Sequence, residues 1–265
     1  MKITPGINYD GGFKVEFPKP PAYDPYTYTP IQRVSSHKYN GGTLHPGSTS
    51  TIPTQPGDLV VGLVGESLGY AETPSDWTEH TRVGHVTPTS TTNTFGIHVI
   101  MATKIATGTS TSIGGWDPGA LQYPVTRGIF AVYRNTRSQG GPNNNPVGTV
   151  LMTSATAGAI YYRDYPQPQV TDGSSIVLRF SGAEFGLSNG YFVPTLYPAA
   201  SSNMVEWWSS SISLALMEVI GTNASFLTGN NRSRTQNFTV GTGGQNYSLT
   251  GVTGGIEIIA RPSYP

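Results

Sequence analysis

Apolar residues in this chain fall into short runs, and the order of those runs occurs twice. Gly57–Gly65 reads GDLVVGLVG, and Gly173–Gly182 reads GSSIVLRFSG. Each is an apolar stretch that leaves a turn and closes on glycine. Phe95–Thr107 (FGIHVIMATKIAT) lies downstream of the first, and Ser211–Thr222 (SISLALMEVIGT) downstream of the second. A third run ends each half, Gly128–Asn135 (GIFAVYRN) and Gly255–Pro262 (GIEIIARP). The spacing, roughly 115 residues, is too long for a solenoid or propeller period. Two sets of three strand-like runs suit the two sheets of one sandwich, or two similar sandwiches. Neither half alone has enough apolar strand to close a core, which favours one sandwich.

The local periods predict the faces. Asp58–Val64 is almost continuously apolar, as expected of a strand buried on both faces or at a sandwich centre. Trp77–Val83 alternates after the tryptophan and reads as an edge. In Phe95–Ile105, Phe95, Ile97, Val99 and Met101 share one face, with His98, Ile100 and Ala102 opposite. In Arg127–Tyr133, Ile129, Ala131 and Tyr133 oppose Phe130 and Val132. Further strands are expected at Ile31–Ser36, Thr149–Thr153, Ala159–Arg163, Ser175–Phe180, Asn203–Ser209, Ile212–Ile220, Asn237–Val240 and Gly255–Ala260. No capped, periodic run of helical length occurs. The fold expected for residues 31–265 is all-β: a single, jelly-roll-like β-sandwich with an internal pseudo-repeat.

Residues 1–30 differ in kind. Pro5, Pro18, Pro20, Pro21, Pro25 and Pro30 alternate with Tyr9, Phe13, Phe17, Tyr23, Tyr26 and Tyr28. PKPPAYDPYTYTP suits neither a central strand nor a helix, and reads as an extended, polyproline-like arm. The arm is either a solvated terminus or a docking segment that lies on a neighbouring subunit. The second reading assigns the contact to Phe13, Phe17, Pro20, Pro21, Tyr23, Tyr26 and Tyr28. The first residues, MKITPGINYDGG, carry no apolar signal-peptide region, and no apolar run approaches membrane-spanning length. A membrane is therefore not an expected partner.

Charge narrows the function classes. Charged residues make up 11% of the chain, against about 25% in an average soluble protein. Lys+Arg and Asp+Glu number 15 each, for a formal net charge of +0. That argues against a nucleic-acid groove, which needs clustered cations. A weakly charged surface is also poorly protected from self-association, so an assembly suits this chain better than a free monomer. The absence of cysteine excludes disulfides and thiolate chemistry.

Candidate chemistry is sparse. HExxH, GxSxG, Walker and dinucleotide signatures are absent, and no enzyme activity or cofactor is expected. Glu66 and Glu72 flank a glycine turn, Asp76 and Glu79 flank Trp77, and Glu184 stands alone; they read as solvated loop carboxylates. His37, His45, His80, His85 and His98 are too loosely spaced for a metal site and read as surface or edge residues. Trp77 reads as core. Trp116, in GGWDPG, and the consecutive Trp207 and Trp208 are candidates for a glycan platform or an interface.

One set of short motifs carries a resemblance. It comprises Pro56-Gly57-Asp58-Leu59-Val60-Val61, Pro74-Ser75-Asp76-Trp77-Thr78, Lys104-Ile105-Ala106-Thr107, Ala131-Val132-Tyr133-Arg134-Asn135 and the closing Gly255–Ala260 strand. In this order they resemble a family of β-sandwich virion structural proteins of tailed bacteriophages and prophages, of the tail-fibre or head-decoration type. Asp76 and Asn135 stand where that family usually has glycine, and both residue types tolerate turn geometry. The resemblance implies a non-enzymatic virion protein: an accessory tail or baseplate fibre, head fibre or capsid decoration protein, assembled in the host cytoplasm. It implies other virion proteins as partners and a homo-oligomer, most often a trimer. A carbohydrate-binding host-adhesion module that recognises a surface glycan is the alternative.

Overall fold

The structure, a computed structural model, describes residues 29–40, 49–67, 71–87, 95–116, 126–139, 145–158, 175–185, 194–195, 202–208, 212–219, 237–238 and 248–261. The first half supplies β1 (Gln32–Asn40), β2 (Thr51–Pro53), β3 (Leu59–Ser67), β4 (Thr78–Thr87), β5 (Phe95–Ile105), β6 (Ser110–Ser112) and β7 (Thr126–Arg134). The second supplies β8 (Val147–Gly158), β9 (Ile176–Phe185), β10 (Pro194–Thr195), β11 (Ser202–Trp208), β12 (Ile212–Val219), β13 (Asn237–Phe238) and β14 (Ser248–Ile258). Among the described residues there is no α-helix, only a 3-10 turn at Arg137–Gln139.

Each half builds one five-stranded antiparallel sheet. The first sheet runs β1-β7-β3-β5-β4 and the second β8-β14-β9-β12-β11. Written this way, the two orders are the same pattern of first, fifth, second, fourth and third long strand of each half. The repeat in the apolar runs is thus a repeat of topology. Pairing sets the correspondence residue by residue. Ile129 lies opposite Leu63 and Phe130 opposite Gly62; in the second sheet Ile256 lies opposite Leu178 and Glu257 opposite Val177. A jelly roll interleaves its chain between two sheets; here each sheet is completed by one half before the other begins, which narrows the expected architecture.

The sheets stack face to face. Leu59, Val61 and Leu63 of β3, Val99 and Met101 of β5, and Ile129, Ala131 and Tyr133 of β7 meet Leu178, Phe180, Leu214, Leu216, Val252, Ile256 and Ile258 of the second sheet. Edge strand β1 lies against β11, and β4 against β8. Equivalent edges therefore sit at opposite sides, an approximate two-fold relation between the layers. Glycines relieve crowding: a Cβ at Gly65 would stand 2.7 Å from Leu214 Cδ2 across the layers, and one at Gly254 would overlap the ring of Phe180, its partner on β9 in the same sheet.

A second core explains the run Asp58–Val64. Val60, Val64, Ile100, Ala102, Phe130 and Val132 on the outer face of the first sheet pack beneath Ile52, Ala71, Trp77, Ile113 and Trp116. Paired β2 and β6 carry part of this cap. The first sheet is consequently buried on both sides, and its central strand has no solvent face to encode with polar residues. The face assignments made from β5 and β7 agree with these clusters for Val99–Ala102 and Ile129–Tyr133. β4 is an edge, as its alternation predicted. Several boundaries moved: β1 extends to Asn40, β4 to Thr87 and β9 to Phe185, β8 spans Val147–Gly158, and β14 begins at Ser248, well before Gly255. The candidate strand Ala159–Arg163 lies outside the described residues.

Candidate functional site

The motif residues converge on one corner, and their chemistry there is structural. Gln55-Pro56-Gly57-Asp58 is a turn in which Asp58 N donates to Gln55 O at 3.0 Å. Gly57 has φ +85°, the value a type II turn requires after proline. The turn drives Asp58 inward, where it is fully buried. Its Oδ1 and Oδ2 accept from Arg134 Nε and Nη2, both at 2.9 Å, a bidentate pair across 76 positions of sequence. Gln55 N and Gln139 Nε2 donate to the same carboxylate at 2.8 and 3.3 Å. The carboxylate in turn holds the Arg134 guanidinium above its ordinary value. Asp58 O accepts from Ala106 N, and Ala106 O from Gly57 N, both at 2.8 Å.

Lys104 ties in the next motif. It pairs with Asp76 and lies 5.9 Å from the centre of the Trp77 ring. Asp76 sits in the turn closed by Trp77 N donating to Pro74 O at 2.9 Å. Asn135 has φ +62°, the left-handed conformation anticipated where glycine was expected.

The corner also roots the N-terminal segment. Thr29 N donates to Arg261 O at 3.2 Å, Asn135 Nδ2 to Pro30 O at 3.0 Å, and Arg261 N to Asn135 O at 2.8 Å. The end of the arm, the last turn of the first half and the last strand of the chain thus meet. The arm residues Phe13, Phe17, Pro20, Pro21, Tyr23, Tyr26 and Tyr28 lie outside the described residues.

The candidate aromatics fare differently from one another. Trp116 is not a surface platform. It is fully buried, with its ring 5.0 Å from Trp77 in an edge-on arrangement and 6.0 Å from Phe130. Gly115, at φ +90°, turns the chain so that the indole enters the cap. Trp207 and Trp208 close β11, an edge strand, opposite Ala215 and Leu214.

Several polar groups escaped the sequence reading. Glu66, expected in a solvated loop, is fully buried in β3, between His98 on β5 and Thr126 on β7. Arg82 on β4 donates to Glu79 Oε1 at 3.1 Å and Oε2 at 2.7 Å. Those bonds, and the Glu72 and Glu66 carboxylates, raise its affinity for protons. Burial, helped by Arg82, lowers His98. His80 is lowered by burial and lies 2.7 Å from Thr103 Oγ1.

On the second sheet, Glu257 is fully buried. Its Oε1 accepts from Ser175 Oγ at 2.8 Å and its Oε2 from Thr149 N at 3.1 Å. Arg179 and Ser181 are also buried there. Gly148 makes room, since a Cβ would occupy the space of the Glu257 carboxylate. Among the described residues, no three His, Asp or Glu side chains are placed to hold a metal ion.

The chain matches no protein-family model, no curated protein and no solved structure. The site must therefore be read from its own chemistry.

Proposed function

We propose that this protein is a non-enzymatic structural component of a tailed-phage virion, a short accessory fibre or capsid decoration protein anchored by its N-terminal arm. The observation that carries the reading is how the motif residues are used. Asp58, Arg134, Lys104, Asp76 and Asn135 are engaged with one another and with backbone, so the motif set supports the fold and leaves no reactive group displayed. The same corner holds Thr29 and Pro30, from which the Pro/Tyr segment would extend as a docking element. Its partners would be other virion proteins and further copies of this chain, in the virion.

Immunogold microscopy of particles from the source, with antibody raised against residues 31–265, tests this. Label on head or tail is the expected result. Particles that contain other structural proteins but take no label would overturn it. The carbohydrate-binding alternative rests on the paired Trp207 and Trp208 on an edge strand. It requires sugar binding in a titration, lost in Trp207→Ala or Trp208→Ala with the fold retained.

A further inference from the structure

The two-fold relation makes β1 and β8 equivalent edge strands, and they are seated by opposite chemistries. The inward side of β1 follows from its register with β7. Arg33, Ser36 and Lys38 lie opposite Tyr133, Ala131 and Ile129, which face the second sheet. All three inward residues are polar. Arg33 Nη1 is 3.5 Å from Glu218 Oε1 on β12, Lys38 Nζ is 3.3 Å from Glu206 Oε1 on β11, and Ser36 Oγ donates to Val205 O at 3.3 Å. No residue of β1 is fully buried. On β8 the same role falls to Val147, Val150 and Met152, packed into the core. β1 also carries a bulge between Arg33 and Ser35, and it is the strand into which the N-terminal segment runs.

We propose that β1 is an ion-paired strap: it can leave the second sheet while the remainder of the sandwich stays closed. Its attachment to β11 and β12 is electrostatic, so added salt weakens it, whereas the apolar seat of β8 is insensitive or strengthened. Behind β1, β7 fills the layer with Ile129, Ala131 and Tyr133, and Tyr39 of β1 packs on the outer core, on the side away from the second sheet.

Hydrogen–deuterium exchange on the full chain tests this at low ionic strength and at about 1 M salt. The expected result is a rise in β1 exchange of roughly three- to tenfold, the range for two partly exposed ion pairs. β8 exchange should hold or fall. Lys38→Glu should raise β1 exchange at low salt, and Lys38→Glu with Glu206→Lys should restore it. Salt-independent exchange in β1, or equal loosening of β8, would overturn the proposal. The wild-type salt comparison stands even if a variant fails to fold, and it is independent of whether the protein is a virion component.

Discussion

Phe130 and Glu257 occupy the same place in the two sheets, and they show how one topology was put to two uses. Phe130 packs against Trp77, Trp116 and Tyr39, with ring centres 5.7, 6.0 and 5.8 Å away. Glu257, equally buried, accepts hydrogen bonds from Ser175 and Thr149. The neighbouring position is Val64 in one sheet and Arg179 in the other. The first sheet is thus closed from outside by a second apolar core, whereas the outer face of the second mixes buried Glu257, Arg179 and Ser181 with Val177, Ala215 and Met217. Topology dictates where a side chain stands; it does not dictate whether that side chain is held by dispersion or by hydrogen bonds. Truncation in an apolar cap costs the lost transfer energy plus the cavity left behind, while in a buried polar cluster the cost is set by the partners left unsatisfied.

The largest test of this contrast is removal of an anchor. Trp77→Ala should cost about 3–5 kcal/mol and lower the thermal midpoint steeply, as expected for an aromatic lost from a core. A variant as stable as the parent would mean that the cap is dispensable. Asp58→Ala should cost about 1–3 kcal/mol in denaturant unfolding, because the Gln55 amide, Gln139 and the partly exposed Arg134 lose the carboxylate that ties the corner where the first half ends. Glu257→Ala on the other sheet should cost about 1–3 kcal/mol, through the unsatisfied Thr149 amide and Ser175 hydroxyl. If Glu257→Leu proved more stable than the parent, the polar face would be retained for something other than stability. Gly254→Ala should cost about 1–3 kcal/mol by overpacking against Phe180, measured the same way.

The smallest effect is acid sensitivity confined to the first sheet. Burial lowers the proton affinity of His37, His80 and His98, in β1, β4 and β5; Glu206 partly opposes the effect at His37, and Arg82 adds to it at His98. The folded state therefore favours the neutral rings. Their contribution is complete above the ordinary histidine value of about 6.5 and declines as pH falls below it toward the folded values. Protection against exchange in the first sheet, corrected for the slower intrinsic exchange in acid, should fall between neutrality and about pH 5.5, ahead of the second. Equal loosening of both sheets would break the comparison.

Much of the fold was legible because burial writes a period into a strand. Val99 to Ala102 and Ile129 to Tyr133 alternate, and their faces could be read directly. The near-continuous Asp58–Val64 run left burial on both faces and a sandwich centre open, and the outer cap decides for the first. β14 was legible only from Gly255, since Ser248–Gly254 is Thr- and Gly-rich and owes its strand character to pairing with β8 and β9. The short β2, β6 and β10 carry too few residues for any period. Trp116 was misread because an aromatic beside glycines suits an exposed turn as well as a buried one; only the packing of Ile52 and Trp77 around it distinguishes them.

By itself, the sequence determined an all-β sandwich of two similar halves, because hydrophobic alternation is local and each half repeats it. The assignment of one half to each sheet, the partner of Asp58, the burial of Glu66 and Glu257, and the ionic seat of β1 were decided by the tertiary structure. Those features join residues far apart in the chain, and a charged residue in a strand looks the same in sequence whether water or a buried partner awaits it. The energy that separates the two outcomes comes from desolvation and pairing, which exist only once the sheets have met.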